Sequence, residues 1–299
     1  MPVLKLYQNG LTGGVPPRFV NHAPVPRGDC AGWSAKSSRG NTRFLYSVRS
    51  SDLPVSADGS PLLGLALSFT LRDCPPAHSD WQTLRRSFIK RLERRGLYRL
   101  HWLTEWQKRG VPHLHAAAWF DASAAWEWMQ KQYPGLPLEA FPALIKADWL
   151  QLTAPYRSSV SGQDIKPISD HLGWLQYLSK HAARGAAHYQ RAIGSHPVGW
   201  QKTGRMWGHL GDFPTSEPLG LSLDNPGWFQ FRRIVRRWRI ANARQGNNPA
   251  RRIRSARRML KCSELHLSRV RGVSEWISVD FGMSILHFLS MSGYSLESV

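Results

Sequence analysis

The sequence predicts a layered α+β fold built on an antiparallel sheet, with a basic helical region after it. Three observations carry this expectation. Residues 99–120 read as a β-hairpin whose turn falls at Lys108-Arg109-Gly110, where glycine can take the positive φ of a tight reversal. The segments before it read as strand and then helix, and the order strand, helix, strand, strand suits an antiparallel sheet with helices packed on it. Charge is lopsided: 40 Lys and Arg oppose 20 Asp and Glu over 299 residues, a formal +20 that predicts attraction to a polyanion, nucleic acid first.

Residues 1–60 carry many Gly, Pro and Ser and no sustained period, which predicts a loosely ordered extension with at most a short strand at Phe44 and Tyr46. From Leu62 to Leu71 the chain is apolar and is stopped by the charged, proline-containing stretch Arg72 to Pro76, as a central strand would be. Ser79 or Asp80 caps the next segment, where Trp81, Leu84, Phe88 and Leu92 recur at helical spacing and Gly96 closes the run. Its other side carries Arg85, Arg86, Lys90, Arg91, Arg94 and Arg95, a row suited either to plain solvation or to phosphate contact. After the hairpin, 122–132 reads as a helix with Trp126 and Met129 inward, 141–152 as a second short helix, and 156–168 as a further strand. Asp170 opens a helix to about Gly185 whose core stripe is Ile168, Leu172, Leu175, Leu178 and Ala182.

Pro214, Pro218, Gly220 and Pro226 mark a linker, so the chain divides into the extension 1–60, a domain over 61–212, and a linker with basic helical region over 213–299. In that last part Phe231, Ile234, Val235 and Trp238 form an apolar stripe, and fourteen Lys and Arg fall between 228 and 271 against Glu264 alone. Arg232, Arg233, Arg236, Arg237 and Arg239 are candidate phosphate contacts, and Trp238 is a candidate for stacking on a base.

Residues two apart on a strand share a face, so His113 and His115 project together while Leu114 enters the other layer. Two adjacent imidazoles make a clamp for a divalent cation, or else two half-buried histidines with local hydrogen bonds. If the hairpin closes symmetrically about Arg109, Glu105 lies opposite His113, in a pair whose Cβ atoms sit about 5 Å apart, and supplies an anionic third ligand. His101, on the same face, is the reserve. Downstream, Tyr177 lies off the apolar stripe and shares a helix face with Gly173, Lys180, His181 and Arg184. A phenol of pKa ~10 is a poor nucleophile at neutral pH, and Lys180 one turn on can steady a phenolate or charge building on phosphate.

His113-Leu114-His115 at the end of a hairpin, with Glu105 and Arg109-Gly110-Val111-Pro112 before it and Tyr177-x-x-Lys180 after it, resembles the HUH endonucleases. Within that group the chain is most similar to rolling-circle replication initiators of filamentous phages and plasmids. The resemblance covers roughly 62–212 and includes Thr203-Gly204-Arg205-Met206-Trp207-Gly208. It implies an RRM-like sheet of five antiparallel strands with flanking helices, the histidine pair on a central strand and the tyrosine helix over it. It also implies that Glu105, His113 and His115 hold Mg²⁺ or Mn²⁺, that Tyr177 is the nucleophile and that Lys180 assists it. Arg184 and Arg205 join the arginines of the basic helix as candidate DNA contacts. Some phage initiators carry two tyrosines one turn apart on this helix; here Gly173 and His181 flank Tyr177, and Tyr189 lies too far along. Closing the strand-transfer cycle then falls to a second protomer or a water.

The expected function is an initiator that nicks one DNA strand at an origin, forming a 5′-phosphotyrosine and a free 3′-OH for rolling-circle synthesis. The alternatives are a single-tyrosine transposase of the same chemistry and a basic DNA-binding regulator that cuts nothing. Partners are single-stranded or origin DNA, with host helicase and polymerase as candidates beyond it. Cys30, Cys74 and Cys262 are too dispersed for a Cys-x-x-Cys zinc site or a paired framework, and neither a signal-peptide core nor a run of eighteen uncharged apolar residues is found. Those features point to a reducing compartment and to no membrane partner, and the resemblance to phage and plasmid initiators implies that this compartment is the bacterial host cytoplasm.

Overall fold

The computed structural model describes residues 1–15, 32–183, 197–245, 249–250, 253–254 and 272–299. It is an α+β protein with two five-stranded antiparallel sheets and, among the described residues, seven α-helices. The chain divides into two compact units, one comprising Pro26–Leu45 and Arg49–Pro214, the other Met1–Val25, Tyr46–Val48 and Thr215–Val299. Among the described residues no helix is long and apolar enough to cross a membrane.

The strands are β1 (Val3–Tyr7), β2 (Gly10–Gly14), β3 (Leu62–Thr70), β4 (Leu97–Trp106), β5 (Pro112–Asp121), β6 (Asp164–Pro167), β7 (Trp207–Leu210), β8 (Leu219–Leu223), β9 (Val273–Glu275) and β10 (Leu296–Ser298). The helices are α1 (Ala35–Ser47), α2 (His78–Glu93), α3 (Ala122–Gln132), α4 (Phe141–Leu152), α5 (His171–Ala183), α6 (Asn225–Arg244) and α7 (Val279–Met291).

In the larger unit the sheet order is β6-β3-β5-β4-β7, so β5 lies at the centre. Period-two alternation sends each strand's side chains to two different layers. On one side Phe69 of β3 packs against Phe88 of α2 and Trp149 of α4, while Phe120 of β5 meets Phe141. On the other side Trp119 of β5 lies against His171 of α5, and Phe44 of α1 stacks on His209 of β7. The helix α2 starts where Asp80 turns back to accept from the Ala77 backbone N–H, and its chain reverses at Gly96, whose φ is 84°. The reading of Trp126 as inward is corrected: Met129 is buried but Trp126 is exposed. Leu172, expected on the core stripe of α5, is also exposed, whereas Leu175 and Leu178 are buried.

In the smaller unit the sheet order is β10-β8-β1-β2-β9. Its core gathers Leu4, Leu6 and Leu11 from the N-terminal hairpin with Trp228, Phe231 and Val235 of α6 and Ile285, Leu286 and Leu289 of α7. Asp224 caps α6 by accepting from the Gly227 N–H at 2.7 Å. Three expectations are corrected by this structure. Residues 1–60 contain β1, β2 and α1 rather than only a loose extension; Phe44 and Tyr46 lie in α1, not a strand; and the expected linker contains β8. The strands looked weak locally because their partners come from the distant end of the chain: β1 pairs with β8, and β2 with β9.

Candidate active site

The hairpin places the first three residues. Gly110, with φ 77°, lets the chain reverse, and Gly110 N–H donates to Gln107 O at 2.8 Å while Gln107 N–H donates to Val111 O at 3.0 Å. This fixes the register about Arg109, so Glu105 pairs with His113, as the symmetric closure requires. Glu105 is fully buried and His115 is 4% exposed. The His113 and His115 rings lie 4.3 Å apart, nearly perpendicular, and Glu105 Oε2 stands 4.0 Å from His115 Nε2.

Ser68, directly opposite His115 on β3, makes a 3.0 Å hydrogen bond with His115 Nδ1. That contact fixes the ring and leaves Nε2 toward Glu105, the orientation in which an imidazole nitrogen can serve as a ligand. His113 Nδ1 has a long 3.5 Å contact to Gln107 Nε2. Above this face, the Tyr177 ring of α5 meets the His115 ring edge-on at 5.8 Å. Trp174, one turn earlier, stacks on Tyr177 at 4.8 Å and 22°. Asp170 caps this helix, accepting from the Gly173 N–H at 2.8 Å. Tyr177 is 37% exposed, so the phenol sits at the mouth of the site and not within the core.

Two imidazoles and one buried carboxylate form a donor set suited to a small divalent cation. Among the described residues, no group of three His, Cys, Asp or Glu side chains is gathered tightly enough to hold an ion as it stands. Neighbouring ligands of a Mg²⁺-sized ion, each at about 2.1 Å, lie about 3 Å apart, so the 4.0 Å between Glu105 and His115 is about 1 Å wider than a loaded site requires.

His101 is not part of this group. It shares the face, but stands four residues from Glu105 along β4, opposite His209 of β7, with Nε2 2.7 Å from Asn41 Oδ1 and its ring stacked on Phe44. Burial, with a smaller contribution from His209, pushes its pKa down to about 3, and it is a neutral core residue. Lys180 lies on α5 three residues after Tyr177; its side chain, and Arg184 altogether, fall outside the described residues. Arg205 is exposed just before β7, and its carbonyl accepts from Arg85.

The arginines of α6 divide. Arg233 and Arg237 are exposed, one turn apart. Arg232 is buried at 5% exposure, and Arg239 pairs with Glu275 at 2.9 Å, so these two serve the core and β9 rather than an outward cationic face. Arg236 is half-buried. Trp238 packs against Phe281 at the edge of the core and is not held out for a base. Sequence reasoning missed Ser68 and Trp174. The signal for Ser68 was present in its parity, because β3 must lie beside β5 and its polar positions 68 and 70 interrupt an apolar strand.

The chain is 44% identical over 298 residues to the replication-associated protein G2P of Pseudomonas phage Pf3, covering 98% of this chain and 99% of that one. It is 40% identical over 306 residues to a candidate replication protein of Xylella fastidiosa strain 9a5c, covering 100% of both chains. A second candidate replication protein, from Xylella fastidiosa strain Temecula1, is 42% identical over 286 residues, covering 93% of this chain and 100% of that one. No family model matches, and no solved structure matches.

Proposed function

Because the chain belongs to the family of replication proteins that includes the replication-associated protein of Pseudomonas phage Pf3, we propose that it initiates replication by nicking one DNA strand at an origin, with Tyr177 as nucleophile. The Tyr177 oxygen attacks the scissile phosphorus in line and the P–O3′ bond breaks. The tyrosine proton is lost, the departing 3′-oxygen takes up a proton, and the products are a 5′-phosphotyrosine and a free 3′-OH. One phosphodiester is exchanged for another, so the bond energy is kept for rejoining. Glu105, His113 and His115 are the residues that would hold Mg²⁺ or Mn²⁺, which when bound polarises the phosphate. Ser68 orients His115, and Trp174 steadies the phenol ring. Exposed Arg205, Arg233 and Arg237 supply cations for the DNA backbone.

The single observation that supports this reading is the edge-on approach of the Tyr177 ring to His115, within a cluster that also holds Glu105 and His113. The test is a nicking assay on supercoiled origin plasmid and on single-stranded origin DNA with Mg²⁺ or Mn²⁺. Wild type should nick, and Tyr177→Phe should lose at least a thousandfold in rate while binding the same DNA. Full activity in Tyr177→Phe, or in His113→Ala together with His115→Ala, removes the reading and leaves a DNA-binding replication protein.

A further inference from the structure

The arginine-rich row of α2 splits into two sets. Arg85 is buried over the Trp102 ring at 3.7 Å, and Arg91 and Arg95 both reach Asp148, so three of the six cations are internal fasteners. Arg86, Lys90 and Arg94 are exposed and recur every four residues, so they form one outward stripe. Among the described residues none of the three is in an ion pair, although Glu93 is exposed beside them. Like charges at that spacing weaken a helix by a few tenths of a kcal/mol per pair, a cost that a bound polyanion reverses.

At the C-terminal end of the stripe stand aromatic rings. Arg95 lies over Trp128 at 4.4 Å, Trp128 meets Tyr133 at 5.9 Å, and Tyr133 is 44% exposed. Cations followed by an open aromatic ring are what a single strand uses, phosphates on the first and a base on the second. The helices α2 and α4 cover the sheet face of Phe69 and Phe120, with Trp128 of α3 packed on Phe141 of α4, whereas Tyr177 and the histidines occupy the opposite face. A strand on α2 is therefore not the phosphodiester being cut.

We propose that Arg86, Lys90 and Arg94, with Tyr133, form a second single-stranded DNA track on the back of the catalytic sheet. It rests on the reading of the chain as a protein that acts on DNA. Arg86, Lys90 and Arg94 stand about 6 Å apart along the helix axis, so the stripe offers one cation to each of about three successive phosphates of an extended strand. The track takes DNA flanking the cut, and its occupant is unpaired because a base must be free to reach Tyr133.

The test measures binding in a Tyr177→Phe background, so it does not depend on cleavage. Fluorescence anisotropy compares a 10-nucleotide single strand limited to the nick site, a 40-nucleotide single strand around it, and a 40-base-pair duplex. The combined change Arg86→Ala, Lys90→Ala and Arg94→Ala should lower the salt slope on the long single strand by about 2, which is about a hundredfold in affinity at 0.1 M salt. Binding of the short strand should not change, and Tyr133→Leu should weaken the long strand about tenfold. If the triple variant fails to fold, Lys90→Gln alone should lower the slope by about 0.7. An unchanged slope, an equal loss on the short strand, or an equal loss on the duplex overturns the proposal. Failure of wild type to nick while these losses persist counts against the nickase reading alone.

Discussion

Ser68 engages one ring nitrogen of His115, so that the other faces Glu105. Orienting contacts of this kind are worth 10- to 100-fold in metal affinity, so Ser68→Ala should weaken Mn²⁺ binding by that factor in a calorimetric titration, with the fold intact. His101 shows the opposite fate for the same residue type. Its folded pKa lies near 3, well under the ordinary 6.5, so between those values the unfolded chain binds the proton and the folded chain does not. The stability it contributes is complete above about pH 6.5 and is lost as pH falls toward 3, by about 1.4 kcal/mol per unit. Urea unfolding at pH 7 and pH 5 should therefore show wild type losing about 2 kcal/mol more than His101→Gln. The pairing of Glu105 with His113 was legible on the condition that the hairpin closes symmetrically about Arg109, the register that the structure has. The exclusion of His101 was not, since strand parity gives the face of a side chain and not the residue that packs on it, here Asn41 from a helix sixty residues away.

Among the elements, the β4–β5 hairpin and the turn after β7 each rest on a positive-φ glycine, and they should respond differently to substitution. At Gly110 nothing lies near the space a Cβ would fill, so Gly110→Ala should cost only the left-handed backbone penalty, about 1 kcal/mol. At Gly211, φ is 76° and a Cβ would run into the Tyr98 carbonyl, so Gly211→Ala should cost more than about 3 kcal/mol by thermal unfolding. The bounds of α3 and α4 were readable in the sequence, but the inward face of α3 was not, since Trp126 is exposed. The arginines of α6 were not, because periodicity marks a stripe and cannot say how wide the core against it is. Here that core includes Arg232, whose aliphatic stem can lie along apolar surface. Tyr46, expected in a short strand, closes α1 and is buried against Tyr7 and Trp276.

At the scale of the whole molecule, charge is the property that composition reports most directly. A formal +20 repels itself in the folded state, and monovalent salt screens that repulsion. Raising salt from 0.05 to 0.5 M without DNA should raise Tm, and a single-stranded oligonucleotide at low salt should raise it further by preferential binding to the folded form. A flat response in differential scanning calorimetry would argue that the cations are already neutralised within the protein. The sheet of the larger unit was legible because its strands and helices follow one another closely in sequence. The second sheet was hidden, because it joins residues 3–14 to residues 219–298, and no local pattern records a pairing across two hundred residues.

On the proposed function Tyr177 becomes bonded to DNA, and mass spectrometry of the product reads that bond directly. Wild-type protein incubated with origin single strand and Mn²⁺, then digested with protease and nuclease, should yield a peptide containing Tyr177 with a nucleotide attached through its 5′-phosphate. A cut strand whose 5′-phosphate is free in solution, or an adduct carried by any other residue, would contradict it.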